Sequence, residues 1–442
     1  MDTGISPPQE ESGPSETLNH ETSEGASLEA ETSEVYPEDP QTPSSTSRWL
    51  NILALVAGLV AMALGPLAGV LFILLSLVGR QVADVVSVTT IGFSMAACGL
   101  GLGGALAWVS YRRVRGYPSR PFRPGIRWVW VCLAGTGLTL IVGQAILSFG
   151  LVAPVTFPLF HVLGITIPAI LLLVSVAQGL SGVNPAPTQR QMIGQVAWGA
   201  FGTTALAFTL EALAAAMGLV VVVVIFALSS EGLAQLNELQ TLLADPALLQ
   251  DSQTLTRWLL KPAILLPVAA ILVIIAPLIE EGVKSLGVPL LAWGTEKKPS
   301  PAQGWLWGMA VGAGFAITEG LFNSAASLPF WAGIALLRVG ATAMHIVTAG
   351  LTGLGWARTL ESRRPLPLLG SFLASVTLHG LWNGMTVLIV VSSLWMMARP
   401  GDAFRVTGAG LAILIGVTGL VLLVATIVGV TVYVTGKVKR ET

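Results

Sequence analysis

Hydrophobic residues occur along this chain in long uninterrupted runs that are separated by short polar connections. A run of about twenty apolar residues is long enough to cross the hydrocarbon core of a bilayer as a helix. Ten such runs are present, at residues 49–78, 89–110, 128–150, 155–177, 198–228, 262–293, 305–325, 331–356, 366–397 and 406–435. The pattern predicts an all-α, polytopic membrane helix bundle of about ten transmembrane helices.

The polar connections are unequal in positive charge. When the N-terminus is placed inside, sixteen of the 23 Lys and Arg residues fall in cytoplasmic segments and five fall in outer segments. The remaining two, Lys284 and Arg338, lie within spans. Because cytoplasmic loops are enriched in Lys and Arg, we expect both termini to be cytoplasmic.

The first 47 residues differ from the rest of the chain. They contain eleven acidic residues, six prolines and no Lys or Arg. Such a segment buries too little apolar area to offset its conformational entropy, and it lacks the basic start of a signal peptide. We therefore predict a disordered acidic cytoplasmic tail at 1–47. The predicted regions after it are five membrane helices at 48–228, an outer loop with an amphipathic helix at 229–261, a membrane core at 262–397, and a last span with a basic cytoplasmic tail at 398–442.

Composition agrees with a membrane protein and excludes some other classes. The chain is 53% hydrophobic and 11% charged, whereas soluble domains have about 25% charged residues. A net charge of -1 gives no basic surface for nucleic acid. The two cysteines, Cys98 and Cys132, both lie in spans, so no disulfide framework is predicted.

Four consecutive spans contain ionisable or amide side chains, although a charge at bilayer depth costs roughly 2.5–3.5 kcal/mol. At 1.5 Å of rise per residue, their Glu and His positions all lie about 17–21 Å from the cytoplasmic ends of the spans. We therefore expect them to meet at one level. The residues are Glu280, Glu281 and Lys284 in the sixth span, Glu319 in the seventh, His345 in the eighth, and His379 and Asn383 in the ninth.

The residue types alone leave several functions open. Two adjacent carboxylates resist joint ionisation, so one is expected to hold a proton while the other takes a proton from a water. His345, His379 and Asn383 could stabilise an oxyanion. His345, His379 and Glu319 could equally form a His₂Glu zinc shell, although no HExxH motif is present. A proton-coupled transporter would use the same carboxylates, and buried contacts between helices are the structural alternative.

Other polar or small residues within the spans have simpler interpretations. Gly99, Gly101 and Gly103 lie in an apolar span, where glycines are typical of close helix packing. Gly308 and Gly312 are expected to let the seventh span approach the sixth. We interpret Glu211 as half of a structural pair with Arg338, and His161 as an interfacial residue near the outer membrane edge.

Four motifs within 280–383 resemble those of the PrsW family of intramembrane proteases, which are relatives of the CAAX prenyl endopeptidases. Glu280-Glu281-Gly-Val-Lys284 is similar to the family pattern EExxK, and Phe315-Ala-Ile-Thr-Glu319 to FxxxE. Arg338 followed by His345 matches the third motif, and His379-Gly-Leu-Trp-Asn383 matches the last, which is HGxxD or HGxxN. The CAAX enzymes have histidine in place of Glu319, which favours PrsW.

The resemblance implies a function as well as a fold. It implies that Glu280, Glu281, Glu319, His345 and His379 form an active centre that cleaves membrane-anchored proteins, such as anti-sigma factors, in a bacterial cell membrane. Both a Zn²⁺ mechanism and a glutamate-activated water are compatible with it. Two positions depart from the family pattern: Gly320 stands where many members have asparagine, and Asn383 replaces a commoner aspartate.

The sequence thus predicts a multi-pass intramembrane endopeptidase. Its expected partners are a membrane-anchored protein substrate and the lipid bilayer. Its predicted catalytic residues are Glu280, Glu281, Lys284, Glu319, His345, His379 and Asn383. A proton-coupled transporter and a CAAX-type endopeptidase are the alternatives.

Overall fold

The computed structural model of the protein describes residues 45–78, 85–245, 251–293, 298–326, 328–398 and 401–441. Within these ranges the chain is helical, with no strand beyond one isolated bridge between Pro121 and Thr188. The acidic segment predicted at the N-terminus lies, up to residue 44, outside the described residues. Ten of the described helices are long and apolar enough to cross a membrane, which confirms the predicted polytopic bundle.

Twelve helices follow one another along the described chain. The spans are α1 (Ser45–Val78), α2 (Val85–Val114), α3 (Ile126–Phe149), α4 (Ala153–Gly179), α5 (Gln189–Ala227), α8 (Pro262–Trp293), α9 (Pro301–Asn323), α10 (Trp331–Ser362), α11 (Leu366–Ala398) and α12 (Ala403–Glu441). Two short helices, α6 (Ser230–Ala244) and α7 (Ser252–Leu259), occupy the connection predicted to contain an amphipathic helix.

Local sequence signals set the ends of several spans. Thr188 with Gln191 begins α5, and Ser300 with Gln303 begins α9, each as a capping box. In a capping box two side chains satisfy backbone N–H groups that the first helical turn leaves without partners. At its other end, α10 stops at Arg363, which has a left-handed conformation with φ of 58°. Such a residue terminates a helix because it turns the backbone out of the helical path.

Helix α9 forms the centre of the bundle. In the most apolar stretch of 18 residues in α9, 89% of the residues are buried by the rest of the protein. The corresponding share for α1 is 11%. Its closest neighbour is α10, and α10 in turn packs on α11. The tryptophans Trp305, Trp307 and Trp331 are fully buried around this centre. Side chains that point from α9 and α10 into the bundle are therefore shielded from the lipid.

Glycines bring α9 and α10 into backbone contact. A Cβ at Gly308 would lie 3.0 Å from the Cα of Gly350, and a Cβ at Gly312 would lie 2.8 Å from the Cα of Ile346. Only a residue without a side chain fits at such a contact. The expectation that these glycines face the sixth span, which is α8, is thus wrong. Helical spacing identified the packing stripe, but it did not identify the helix on the other side.

Candidate active site

Helix α8 brings two carboxylates and a lysine into the interior of the bundle. Before them the helix contains a wide π-turn at Ile271–Ile275, followed by Pro277. Proline cannot donate the N–H bond that the carbonyl of Val273, four residues earlier, would accept in a regular helix. The next turn presents Glu280, Glu281 and Lys284, all of which are buried.

Lys284 uses all three of its ammonium hydrogens inside this site. Its Nζ lies 3.1 Å from Oε2 of Glu280, 2.9 Å from Oε1 of Glu281 and 2.7 Å from Nδ1 of His345. The same nitrogen is 4.2 Å from the centroid of the Phe315 ring, a favourable cation–π distance. One buried cation therefore positions both glutamates of α8 and the histidine of α10.

Glu281 is held by residues from three helices. Its Oε1 accepts bonds from Lys284, from the hydroxyl of Thr348 at 3.1 Å and from Nδ1 of His379 at 2.9 Å. Its Oε2 is buried and has no hydrogen-bond partner among the described residues. Since the Glu281 side chain is fully buried while that of Glu280 is 10% exposed, the two adjacent acids have different environments. Glu280 is therefore the member of the pair that a water molecule can reach.

His345 connects the α8 cluster to α9. Its Nε2 lies 2.8 Å from Oε2 of Glu319, and its Nδ1 faces the Lys284 ammonium. Because Lys284 can only donate and an ionised Glu319 can only accept, the neutral tautomer with hydrogen on Nε2 satisfies both contacts. Arg338 Nη2 lies 2.8 Å from the same Glu319 oxygen, and Asn323 donates to Glu319 at 3.0 Å. Arg338 thus pairs with Glu319.

His379 leaves one ring nitrogen available. Its Nδ1 is bonded to Glu281, while its Nε2 lies 3.9 Å from Oε2 of Glu280. The rings of His345 and His379 are 4.9 Å apart and nearly perpendicular. With hydrogen on Nδ1 for the bond to Glu281, the lone pair of Nε2 faces the reachable carboxylate.

Three of these side chains have the composition of a metal site. One ligand atom each from Glu280, His345 and His379 can be chosen so that all lie within 4.8 Å of one another, which makes a His₂Glu set of the kind that binds zinc. In this set Glu280 takes the place predicted for Glu319, which instead contacts His345. However, Lys284 is bonded to Oε2 of Glu280 and Nδ1 of His345. Two of the three donor groups are therefore bonded to an ammonium, which a metal ion would have to displace.

Asn383 has a different contact from the one the sequence suggested. Its side-chain amide donates to the backbone carbonyl of Leu272, at 2.9 Å, in the π-turn of α8. One turn earlier, a Cβ at Gly380 would lie 2.8 Å from the carbonyl oxygen of Val273, so α11 approaches α8 closely here. The motif that begins at His379 thus docks α11 on the irregular turn before the glutamates.

Two polar residues that were set aside on sequence grounds are placed differently by the structure. Glu211 of α5 does not pair with Arg338, because the Arg338 guanidinium contacts Glu319. The carboxyl group of Glu211 lies close to that of Glu280 instead. His161 is not interfacial: it is fully buried, with Nε2 2.9 Å from the Leu321 carbonyl and Nδ1 accepting from Trp331. The sequence gives no signal for the position of Glu211, because it is the only charged residue among residues 198–228.

The structure therefore gathers Glu280, Glu281, Lys284, Glu319, His345 and His379 into one connected cluster, joined from α5 by Glu211. Comparison with protein families agrees with this geometry. Residues 187–400 match the family described as PrsW family intramembrane metalloprotease, which confirms the resemblance seen in the motifs. The match begins before α5 and ends after α11, so it includes every helix that contributes to the cluster. No curated protein and no solved structure matches the chain.

Proposed function

We propose that this chain, which contains a PrsW family intramembrane protease domain at residues 187–400, hydrolyses peptide bonds of membrane-anchored proteins with a water activated by Glu280. The observation that carries the proposal is the pairing of a reachable carboxylate with a free imidazole nitrogen at 3.9 Å. A water within hydrogen-bonding reach of both atoms can donate one hydrogen to each. Its oxygen lone pairs are then free to attack a carbonyl carbon.

The chemistry divides among the cluster residues as follows. Glu280 takes a proton as the water oxygen bonds to the carbonyl carbon of the scissile amide. The positive charge of Lys284, 3.1 Å from Glu280, stabilises the negative charge that develops on the carbonyl oxygen. Glu280 then passes its proton to the amide nitrogen as the C–N bond breaks, and the second proton of the water passes to Nε2 of His379, which leaves a carboxylate and an amine.

The other cluster members are positioning residues in this proposal. Glu281 fixes the tautomer of His379 through Nδ1, so that Nε2 keeps its lone pair. Glu319, anchored by Arg338, does the same for His345 from the opposite side. Glu319 is 26% exposed, so the cluster is not sealed. This supports access for water and for an unwound substrate segment, whose free backbone groups need a polar surrounding within the membrane.

A metal-assisted reaction is the alternative that the family description suggests. Glu280, His345 and His379 would be the ligands, and the metal would supply an activated water and a Lewis acid. The bonds of Lys284 to two of these three side chains favour the carboxylate mechanism. We expect the purified protein to contain no stoichiometric zinc and to keep its activity in a chelator. Stoichiometric metal together with loss of activity on chelation would replace our mechanism.

Substrate identity and the class of activity can be tested together in cells. We expect cells with the Glu281→Gln variant to accumulate uncut single-span membrane proteins that cells with the wild-type protein cleave, as measured by quantitative proteomics of membranes. Glu361→Gln is the matched control, because it makes the same change at an exposed position at the end of α10. Identical membrane proteomes in all three strains, with proton or solute flux into liposomes that Glu281→Gln abolishes, would instead support a transporter.

A further inference from the structure

A second polar site lies away from the candidate active site, at the end of the bundle where α2 finishes and α5 begins. It is a cavity of about 100 Å³, which is room for several water molecules. Its walls come from the last turns of α2, from the connection between α2 and α3, and from the first turn of α5. The polar lining includes Arg112, Arg113, Ser119, Arg120, Gln189 and Arg190.

The charge of this cavity is one-sided. Four of its lining residues are arginines, and none is acidic. The surrounding sequence offers no compensation, because residues 85–210 contain seven arginines and no Asp or Glu. Within the described part of the chain, Nε of Arg113 is buried without a hydrogen-bond partner. A buried donor left unpaired in this way costs about 1–3 kcal/mol, so an anion that accepted its hydrogen would be favoured.

The walls of the cavity are held together by specific contacts. The backbone N–H of Gln189 donates to the Arg120 carbonyl at 2.8 Å, and that of Arg190 donates to the Ser119 hydroxyl at 3.2 Å. The Arg112 guanidinium lies over the Tyr117 ring, 5.7 Å from its centroid. The connection is therefore tied to the start of α5, and the Tyr117 ring helps to position the Arg112 guanidinium.

The position of the cavity relative to the membrane surface indicates which anion it can bind. Trp108, one helical turn before Arg112, lines the cavity and is 60% exposed. An exposed tryptophan followed by arginines is typical of the boundary between hydrocarbon and headgroups. Lipid phosphates lie at this level, and basic pockets between helices on the cytoplasmic side bind anionic headgroups. We propose that this cavity binds the phosphate of an anionic phospholipid.

The site also has a physical route to the protease domain. Helix α5 begins at the cavity and then packs against α9, where a Cβ at Gly314 would lie 2.8 Å from the backbone nitrogen of Ala200. A lipid bound at the start of α5 would therefore stabilise α5, which in turn packs on α9. This consequence does not depend on the chemistry assigned to Glu280.

Thermal unfolding of the full chain in a neutral maltoside detergent tests the proposal. A ligand that binds only the folded protein raises the melting temperature. We expect short-chain phosphatidylglycerol to raise it by several degrees, and short-chain phosphatidylcholine and inorganic phosphate to leave it unchanged. Arg113→Gln should weaken the apparent affinity for phosphatidylglycerol tenfold or more, and Arg120→Gln should weaken it in the same direction. Arg364→Gln, an exposed arginine outside the cavity, should leave it unchanged.

Three outcomes would overturn the proposal. Inorganic phosphate that stabilises the protein as well as phosphatidylglycerol would mean that the site takes a free anion. An equal response of the wild-type protein and both cavity variants to phosphatidylglycerol would locate lipid binding elsewhere. If phosphatidylglycerol has no effect but Arg113→Gln lowers the melting temperature without lipid, Arg113 supports the fold and the cavity does not bind lipid.

Discussion

Among the pairs of helices that pack through glycine in the described part of this molecule, α1–α2 and α9–α10 can be compared directly, because only the second has ionisable side chains at its contact. In the pair α1–α2, a Cβ at Gly99 would lie 2.8 Å from the Cα of Gly65. In the pair α9–α10, a Cβ at Gly312 would lie 2.8 Å from the Cα of Ile346. The closeness of backbone approach is therefore the same in both pairs.

The two pairs differ in what the close approach brings together. Residues 49–78 and 85–111, which include the packed parts of α1 and α2, contain no Asp, Glu, Lys, Arg or His. In the other pair, the backbone contact lies beside His345, whose ring reaches Glu319. Small residues drive helix association in membranes, but association alone gives no chemistry. The second pair is distinguished by ionisable side chains that are costly to bury and that form hydrogen bonds and ion pairs with one another.

The largest effect is expected when Lys284, the cation shared by Glu280 and Glu281, is replaced. Lys284→Met leaves Glu280 and Glu281 buried without their common partner, and breaking a buried ion pair in this way costs about 3–5 kcal/mol. We expect a markedly lower melting temperature in detergent and no detectable peptidase activity. Lys439→Met, at an exposed position near the end of α12, is the control and should change neither. A Lys284→Met protein with normal stability would show that the lysine is not the centre of the cluster.

The comparison itself is tested by adding the same methyl group to each glycine contact. Gly312→Ala and Gly99→Ala should each destabilise the protein by about 1–3 kcal/mol, as is usual for overpacking. Only Gly312→Ala should also lower the cleavage rate per folded molecule, because a misplacement of about 1 Å in a catalytic group can cost 100-fold. Equal cleavage rates for the two folded variants would separate the candidate site from the α9–α10 contact.

A smaller effect is expected from single hydrogen bonds. Thr348→Val removes the hydroxyl that donates to Glu281 at 3.1 Å, and a typical bond of this kind contributes about 0.5–1.5 kcal/mol. We expect a threefold to tenfold lower kcat with little change in KM. Thr139→Val removes a buried hydroxyl that bonds only to the backbone of its own helix, α3, and should leave kcat unchanged. Equal effects on kcat would mean that Thr348 acts through packing.

The sequence predicted the parts of this structure that depend on composition and depth. Ten apolar runs correspond to ten candidate spans. Counting residues from the span ends correctly predicted that Glu280, Glu319, His345 and His379 lie close together. Helical periodicity defines the faces of a helix but not its neighbours, so the stripe of Gly308 and Gly312 was assigned to the wrong partner. The same limit hid the contact of Glu211 with Glu280.

Other features of the site required side-chain positions. The composition of His345, His379 and a glutamate suggested zinc. Helical spacing places Lys284 beside Glu280, but its bond to Nδ1 of His345, on another helix, could not be inferred from spacing. Asn383 lies one turn after His379, yet its amide bonds to Leu272 because the π-turn and Pro277 leave α8 irregular at that point. A proline-altered hydrogen-bond pattern in one helix thus decided the role of a residue in another.

The central claim is that Glu280 activates a water that splits an amide within the membrane. The most direct test is cleavage of a single-span substrate by the purified protein in liposomes prepared in H₂¹⁸O, with mass spectrometry of the products. We predict one ¹⁸O atom in the new C-terminal carboxylate, and a rate at least about 100-fold lower for Glu280→Gln, the lower end of the contribution expected of a general base. Cleavage by folded Glu280→Gln at the wild-type rate would contradict the account.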